Sequence, residues 1–567
     1  MGKKNLILLI LIVILGAVLR FAFLTQNPPS LNWDEISHGY NAYSIMKTGM
    51  DQWGQKFPIF NFRAYGDYPT TLNLYLTIPF IAIFGLTSFA IRFPHAILGT
   101  LMILSVYFLT FGITKKKNVS LLAAFLTAIG PWYVFTSRFV LQSNLSVFFL
   151  TTAAALFVNR NKNKSFIYLS AFSLFLTLFS YHTTRIFSPL IVVGALLIYK
   201  KEIRNKLIYV FVALFLALSA YILISPNATA RGNVLFLIDQ GAINKIDAER
   251  NSSKLPNTIS KLIYNRPVYF VENFAKNYFS YFTPQFLFLK GGTQYQFSVP
   301  DTGLIYSVSL PFFYLGLVLL VLWSFKTPLF GSKNDYRLIL FWLIFSPIPA
   351  ALTNESYTVI RATTMLPIPE ILIAIGFFSF VNWKIWSSHK INLGWLMPLY
   401  IFILLLSTGG YITKYFTSYR QNYSWSWQYG YSEVVDYVKA NYNSYDKIVV
   451  TKKYGEPHEY FLFFMKYDPA KYLSDSGKIT FFQSNWYWVD HFDKFWFVND
   501  WQIKLNSPEL SSVQETFVTE SKQTIDCNNQ KCLLITSPDN FPAGWRKIKT
   551  INFLDGSPAF EMYDNQK

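Results

Sequence analysis

Charge is what this sequence has least of. Only 14% of its 567 residues are Asp, Glu, Lys or Arg, where an ordinary soluble domain carries about 25%. With 52% hydrophobic and 19% aromatic residues, that deficit excludes a soluble globular chain. Other absences narrow the reading. No Gly-rich nucleotide-binding motif is present, and no repeat of fixed period. No small-residue cleavage signature follows the apolar run 5–24, which ends near Arg20, so that run reads as a retained span and not a removed signal peptide. Cysteine is nearly missing. Cys527 and Cys532 flank N-N-Q-K, and two cysteines around a turn outside a membrane form either a hairpin disulfide or two unpaired thiols.

What remains in abundance is apolar sequence. Runs of nearly the ~20 residues that a helix needs to span a bilayer recur through the first 410 positions. Acids are outnumbered, 31 against 50 Lys and Arg, and the excess is not spread evenly. It sits in short gaps: Lys3-Lys4, Lys115 to Lys117, Arg160 to Lys164, Lys200 to Lys206, Lys326 to Arg337 and Lys384 to Lys390. Beyond residue 411 there are 17 basic and 18 acidic residues. Short basic loops belong on the cytoplasmic side. The net charge of +19 is therefore an orientation signal, and nucleic acid is not a partner.

Placing every basic gap inside gives about eleven transmembrane helices. They fall near 5–24, 89–111, 119–135, 143–158, 166–181, 186–199, 207–225, 304–325, 337–352, 365–381 and 392–411, with the N-terminus in and the C-terminus out. The run T-L-N-L-Y-L-T-I-P-F-I-A-I-F-G (71–85) is short and holds Pro79, so it reads as an interfacial or re-entrant outer helix. A second such helix runs from Ile36 to Met46. The domains expected are a transmembrane catalytic domain, 1–411, and an extracytoplasmic soluble α/β domain, 412–567. The first includes a first outer loop at 25–88 and a large outer loop at 226–303. In the second, 433–442 reads as a helix, and 447–451, 531–537 and 558–563 as strands.

The outer face then collects the chemistry. L-N-W-D-E (31–35) puts Asp34 and Glu35 just beyond the first span. Adjacent carboxylates there can bind a metal, act as a base, or sit idle in solvent. Idle charge is penalised near a membrane surface. Arg92, Arg138, Arg185 and Arg361 lie at outer span ends, against positive-inside bias, and arginine's planar fork suits phosphate. A carboxylate that takes a proton from an acceptor hydroxyl, with arginines stabilising a departing lipid phosphate, amounts to glycosyl transfer from a polyprenyl-phosphate sugar.

These residues also carry a resemblance. W-D-E, G-D-Y-P-T-T-L-N-L-Y-L, F-G-L-T-S-F-A-I-R-F-P-H-A-I-L-G (84–99), S-R-F-V-L-Q-S-N-L (137–145), Y-H-T-T-R-I-F-S-P-L (181–190) and V-I-R-A-T-T-M-L-P (359–367) resemble the GT-C glycosyltransferases. Within them, the likeness is to the family 39 branch related to protein O-mannosyltransferases and the lipid A aminoarabinose transferase. The resemblance implies an inverting enzyme with juxtamembrane helices in its first outer loop. It makes Asp34 the candidate base, Glu35 its neighbour, and Arg92, Arg138, Arg185 and Arg361 donor-phosphate contacts. The family's Lys-Pro-Pro is here Pro69-Thr70-Thr71, so Arg63 is the candidate substitute. Gln142 stands where relatives carry a second acid, a charge Asp67 can supply. Tyr65 and His182 complete the candidate site.

Metal dependence stays open: no obligatory cofactor is expected, while Asp34, Glu35, Asp67, His38 and His182 offer ligands for a divalent ion. His458 and His491 read as structural or surface residues. The aromatics of Q-S-N-W-Y-W-V-D-H-F (483–492) suit either sugar stacking or an interfacial belt. The expected partners are the polyprenyl-phosphate donor, a protein, glycan or lipid acceptor, and the bilayer of a prokaryotic plasma membrane. A transporter or flippase would show inverted halves and mid-span charges, and neither is seen. A non-catalytic envelope-assembly protein would not need Asp34.

Overall fold

The computed structural model describes residues 2–203, 206–225, 236–382, 393–484, 486–503, 515–542 and 544–565. The basic gap Lys384 to Lys390, Arg204 and the start of the 226–303 loop lie outside them. The chain divides into two compact units, Met1–Ala22 with His95–Lys414, and Phe23–Pro94 with Tyr415–Lys567.

In the first unit every expected span carries a helix. These begin with α1 (Lys3–Phe21); α2 (Trp33–Thr48) and α3 (Leu72–Phe84) belong to the second unit, and α4 (Ser88–Thr114) starts there and continues into the first. Next come α5 (Lys117–Ile129), α6 (Pro131–Thr136), α7 (Gln142–Val158), α8 (Ser165–Thr177), α9 (His182–Tyr199) and α10 (Lys206–Ile224). Among the described residues, seven helices are long and apolar enough to cross a membrane. A helix thus stands at each expected position, but the expected count of about eleven spans is not confirmed. The span at 119–135 is split between α5 and α6 at Gly130-Pro131, because proline has no N–H to continue the ladder. That at 337–352 is divided between Lys333–Phe345 and Ile348–Ala351, next to Pro347 and Pro349.

Leu11, Leu214 and Leu406 point outward and are exposed, as lipid-facing side chains are, while small residues let helix backbones meet. A Cβ on Gly316 would lie 2.1 Å from the carbonyl oxygen of Leu372, and one on Gly376 2.0 Å from that of Phe312. The helices Leu310–Phe325 and Ile368–Val381 therefore touch along their backbones. Arg20, fully buried, closes α1 onto α5 by donating to the carbonyls of Ala128 and Thr127 at 2.9 and 3.0 Å. The long loop after α10 contains the helices Gln240–Ser252, Asn257–Ile263 and Arg266–Ser280.

The second unit joins α2, α3 and the C-terminal residues. Its sheet has strands β1 (Lys447–Thr451), β2 (Ile479–Gln483), β3 (Trp486–Phe492), β4 (Phe495–Val498), β7 (Cys532–Thr536), β8 (Arg546–Asn552) and β9 (Pro558–Asp564), in the order β2-β3-β4-β1-β7-β9-β8. β5 (Thr516–Val518) and β6 (Thr524–Asp526) form a separate pair. β1 runs parallel to both β4 and β7, and its apolar I-V-V core is buried on both faces. The helices Tyr431–Ala440 and Pro457–Phe464 pack on this sheet. Cys527 and Cys532 are joined as a disulfide that ties β6 to the start of β7.

Two glycines let α2 sit close to the C-terminal residues. At Gly39 a Cβ would be 2.7 Å from the ring of Phe463, and Gly455, at φ +107°, leaves room for Trp33.

Candidate active site

The site is built on the first turn of α2. Asn32 caps it: its side chain accepts from the Glu35 N–H at 2.9 Å, and the Glu35 carboxylate returns a bond to the Asn32 N–H. The helix therefore starts three residues before Ile36, and W-D-E is its opening turn, where the helix dipole favours negative charge. The two carboxylates then part. Glu35 is fully buried. Arg92 grips it from Nε and Nη2, both at 2.8 Å. The remaining Arg92 donors go to the carbonyls of Leu24, Pro28 and Ser30 at 3.0, 3.1 and 2.5 Å. A guanidinium has five N–H donors, and here all are used. Glu35 and Arg92, expected in the chemistry and at the donor phosphate, instead form a buried pair that fixes the turn.

Asp34 is half-buried. Its carboxylate accepts the hydroxyl proton of Tyr65. Its backbone carbonyl lies 2.6 Å from His38 Nδ1; a carbonyl only accepts, so Nδ1 carries the hydrogen. Burial, the largest influence, lowers the His38 pKa, which keeps the ring neutral and leaves Nε2 buried without a partner. Burial first, and then the charge of Asp34, push the Tyr65 phenol well above its ordinary value. Tyr65 is thus a donor at any physiological pH.

The loop carrying Tyr65 also carries Asp67, whose Oδ1 accepts the Tyr68 N–H at 2.7 Å. Arg63, expected at phosphate, lies over the rings of Tyr487 and Trp53, 4.3 and 5.7 Å from their centroids.

The other expected phosphate contacts belong to the first unit. Arg138 is buried and donates to the carbonyls of Leu19, Arg20 and Ala22. Arg185 donates from Nε to the Leu178 carbonyl at 2.8 Å, and its Nη1 is 3.4 Å from His182 Nδ1. Arg361 pairs with Glu355 at 3.2 Å and donates to Thr353 Oγ1 at 3.0 Å. Gln142 opens α7 and is buried. The structure therefore brings together Asp34, Glu35, Tyr65, Asp67, Arg63 and Arg92 in one unit, and places Arg138, Gln142, His182, Arg185 and Arg361 in the other.

Several residues behind this site carry no motif that points to them. The Trp486 indole stacks on Tyr65 at 5.1 Å and 24°, and its N–H donates to Glu456. Glu459 accepts from Gln52 Nε2 at 2.6 Å. His458 lies between the two acids, 3.4 Å from Glu456 and 3.7 Å from Glu459, and is fully buried. Burial raises Glu456 to about 8 and Glu459 to about 7, and lowers His458 to about 3. Only the dense aromatics of 483–492 hinted that this segment is more than surface.

Residues 10–183 match the model of the family described as dolichyl-phosphate-mannose-protein mannosyltransferase. No curated protein matches the chain. Among solved structures, ArnT from Cupriavidus metallidurans bound to undecaprenyl phosphate is similar in fold, with a TM-score of 0.52 at 9% identity over 100% of this chain and 99% of that one. The archaeal oligosaccharyltransferase AglB from Archaeoglobus fulgidus, in complex with an inhibitory peptide and a dolichol-phosphate, gives a TM-score of 0.47 at 14% identity over 81% of this chain. The chain spans 63% of the length of that enzyme. The Pmt1-Pmt2 protein O-mannosyltransferase complex of S. cerevisiae, bound to the sugar donor, gives 0.31 at 19% identity over 41% of this chain and 34% of its own. The resemblance to GT-C glycosyltransferases read from the sequence is borne out: the family match covers the first spans and the first outer loop, and the ArnT fold the whole chain.

Proposed function

We propose that the protein is a membrane glycosyltransferase that moves a sugar from a polyprenyl-phosphate-linked donor to an acceptor hydroxyl. The observation that carries this reading is the separation of the two carboxylates. Glu35 is spent on Arg92, while Asp34, half-buried and hydrogen-bonded by Tyr65, keeps a carboxylate on a fixed helix turn. In the proposed reaction Asp34 takes the proton of the acceptor hydroxyl as its oxygen attacks the anomeric carbon. The new C–O bond forms as the bond to the phosphate oxygen breaks, and the polyprenyl phosphate leaves with that electron pair. One displacement inverts the anomeric centre.

The family match and the ArnT fold support the donor class. Arg185, Arg138 and Arg361 are the proposed donor-phosphate contacts, on the strength of the sequence resemblance. The acceptor is proposed to approach on the outer face of a prokaryotic plasma membrane, in keeping with the basic gaps placed inside. The test is transfer of label from polyprenyl-phosphate sugars in membranes that contain wild type or Asp34→Asn at equal expression. Loss confined to the variant supports the reading, and equal transfer removes Asp34 from it.

A further inference from the structure

Tyr65 lies in a loop with little regular structure. Residues 61–70 are tied at their ends by a bridge between Asn61 and Thr70, by the Asn61 side-chain amide on the Tyr68 and Pro69 carbonyls, and by the Phe62 N–H on the Pro69 carbonyl and the Ala64 N–H on that of Asp67. Those bonds fix the base of the loop and not the direction of the Tyr65 ring. A hydroxyl that must meet one oxygen of Asp34 needs a fixed ring, and the ring is fixed from β3.

Trp486 covers the Tyr65 ring face to face. The approach is possible because the next residue is Gly66: a Cβ there would lie 2.0 Å from Trp486 Cε3. The indole cannot swivel freely, since its N–H donates to the buried Glu456. The neighbouring Tyr487 holds the same loop from its backbone and its ring. Its N–H donates to the Tyr65 carbonyl at 2.8 Å, its hydroxyl is 3.2 Å from that of Tyr68, and its ring carries the Arg63 guanidinium. Two consecutive strand residues thus clamp the stretch 63–68 on which Tyr65 and Asp67 stand.

We propose that Trp486 is a positioning residue for the base: it acts on Asp34 through Tyr65, with Glu456 setting the tilt of the indole. The C-terminal strands then take part in positioning the base. The inference rests on the reading of Asp34 as the base. Small misplacements at a reacting group are costly, with ~1 Å worth about 100-fold in rate. A tryptophan that only supports the fold would change stability instead.

The test is a double-mutant cycle on full-length protein in detergent, with labelled polyprenyl-phosphate sugar as donor. Trp486→Ala is expected to lower kcat by about 10- to 100-fold with the donor KM within about twofold. Trp486→Phe, which keeps a ring but loses the N–H, is expected to fall between wild type and Trp486→Ala. Because the effect runs through Tyr65, Tyr65→Phe combined with Trp486→Ala should be no slower than the slower single variant. Tyr65→Phe and Trp486→Ala should also move the acid limb of the rate profile in the same direction. The groups that feel the charge of Asp34 there are Tyr65, His38 and Tyr460, and of these only Tyr65 is changed in the cycle.

Losses that multiply in the double variant, or wild-type kcat in Trp486→Ala, overturn the proposal. Should Trp486→Ala fail to fold, Trp486→Phe carries the same test, with an unaltered melting temperature as its control. Asp34→Asn is measured alongside. Wild-type transfer by that variant overturns the base reading itself, whereas additive losses with Asp34→Asn inactive overturn only the role of Trp486.

Discussion

Two helix starts in the second unit, Asn32 to Glu35 and Glu456 to Glu459, bury acids in opposite ways. At the first, Glu35 enters the interior with a five-donor arginine and a capping box waiting for it. At the second, Glu456 and Glu459 have an indole, an amide and an imidazole as neighbours, but no arginine. Burial favours the neutral acid, and it raises both carboxyls, to about 8 and about 7, although the Lys452 ammonium pulls Glu456 partly back. The first turn pairs its buried acid with an arginine, while its neighbour Asp34, half-buried, accepts from the Tyr65 hydroxyl. The second leaves two acids near Tyr65 that hold their protons to a higher pH than usual.

The sharpest way to break this contrast is to remove the cation. Arg92→Met strands Glu35 in the interior, which costs about 3–5 kcal/mol when a buried pair loses one partner. The expected result is loss of the folded protein on mild heating in detergent. Arg92→Met combined with Glu35→Leu should recover much of that stability, because no unpaired charge is left.

Tyr65→Phe comes next. It removes a hydrogen bond to the charged form of Asp34, which is worth about 1.5–3 kcal/mol. Transfer should fall by about tenfold or more, and the acid limb of the pH profile should move to higher pH, since that bond favours the carboxylate.

The third prediction concerns the second helix start. Glu456 and Glu459 have folded pKa values raised above their unfolded ones, so the folded state holds more protons as pH rises from 4.5. Their contribution is fully present below that pH and is lost as pH climbs through about 7 and about 8. His458, lowered from 6.5 to about 3, works against this trend only below pH 6.5. Between pH 6.5 and 8 the melting temperature should therefore fall, and Glu456→Gln should flatten that fall while retaining an acceptor for Trp486. The smallest expected effect is that of chelation. Transfer in the presence of EDTA should equal that in its absence, and a rate restored only by added divalent metal would contradict this.

The positions of the spans were legible because hydropathy and basic gaps act over whole segments. Their lengths were less so, because proline at positions 131, 347 and 349 interrupts runs that composition alone reads as continuous. The start of α2 was within reach: Asn32 with Glu35 three residues on is a capping-box pattern. The partner of Glu35 was not, for nothing local links it to an arginine 57 residues away. Nor could the sequence show that Trp486 covers Tyr65. That contact depends on Gly66 and on a strand pairing hundreds of residues downstream, and close approach of two backbones leaves no periodic trace.

The most direct test of the account is the rate of sugar transfer from a labelled polyprenyl-phosphate donor by purified Asp34→Asn beside wild type, with melting temperatures recorded for both. The account predicts equal melting temperatures and a loss of about 100-fold or more in the variant. Wild-type transfer by a stably folded Asp34→Asn would contradict it.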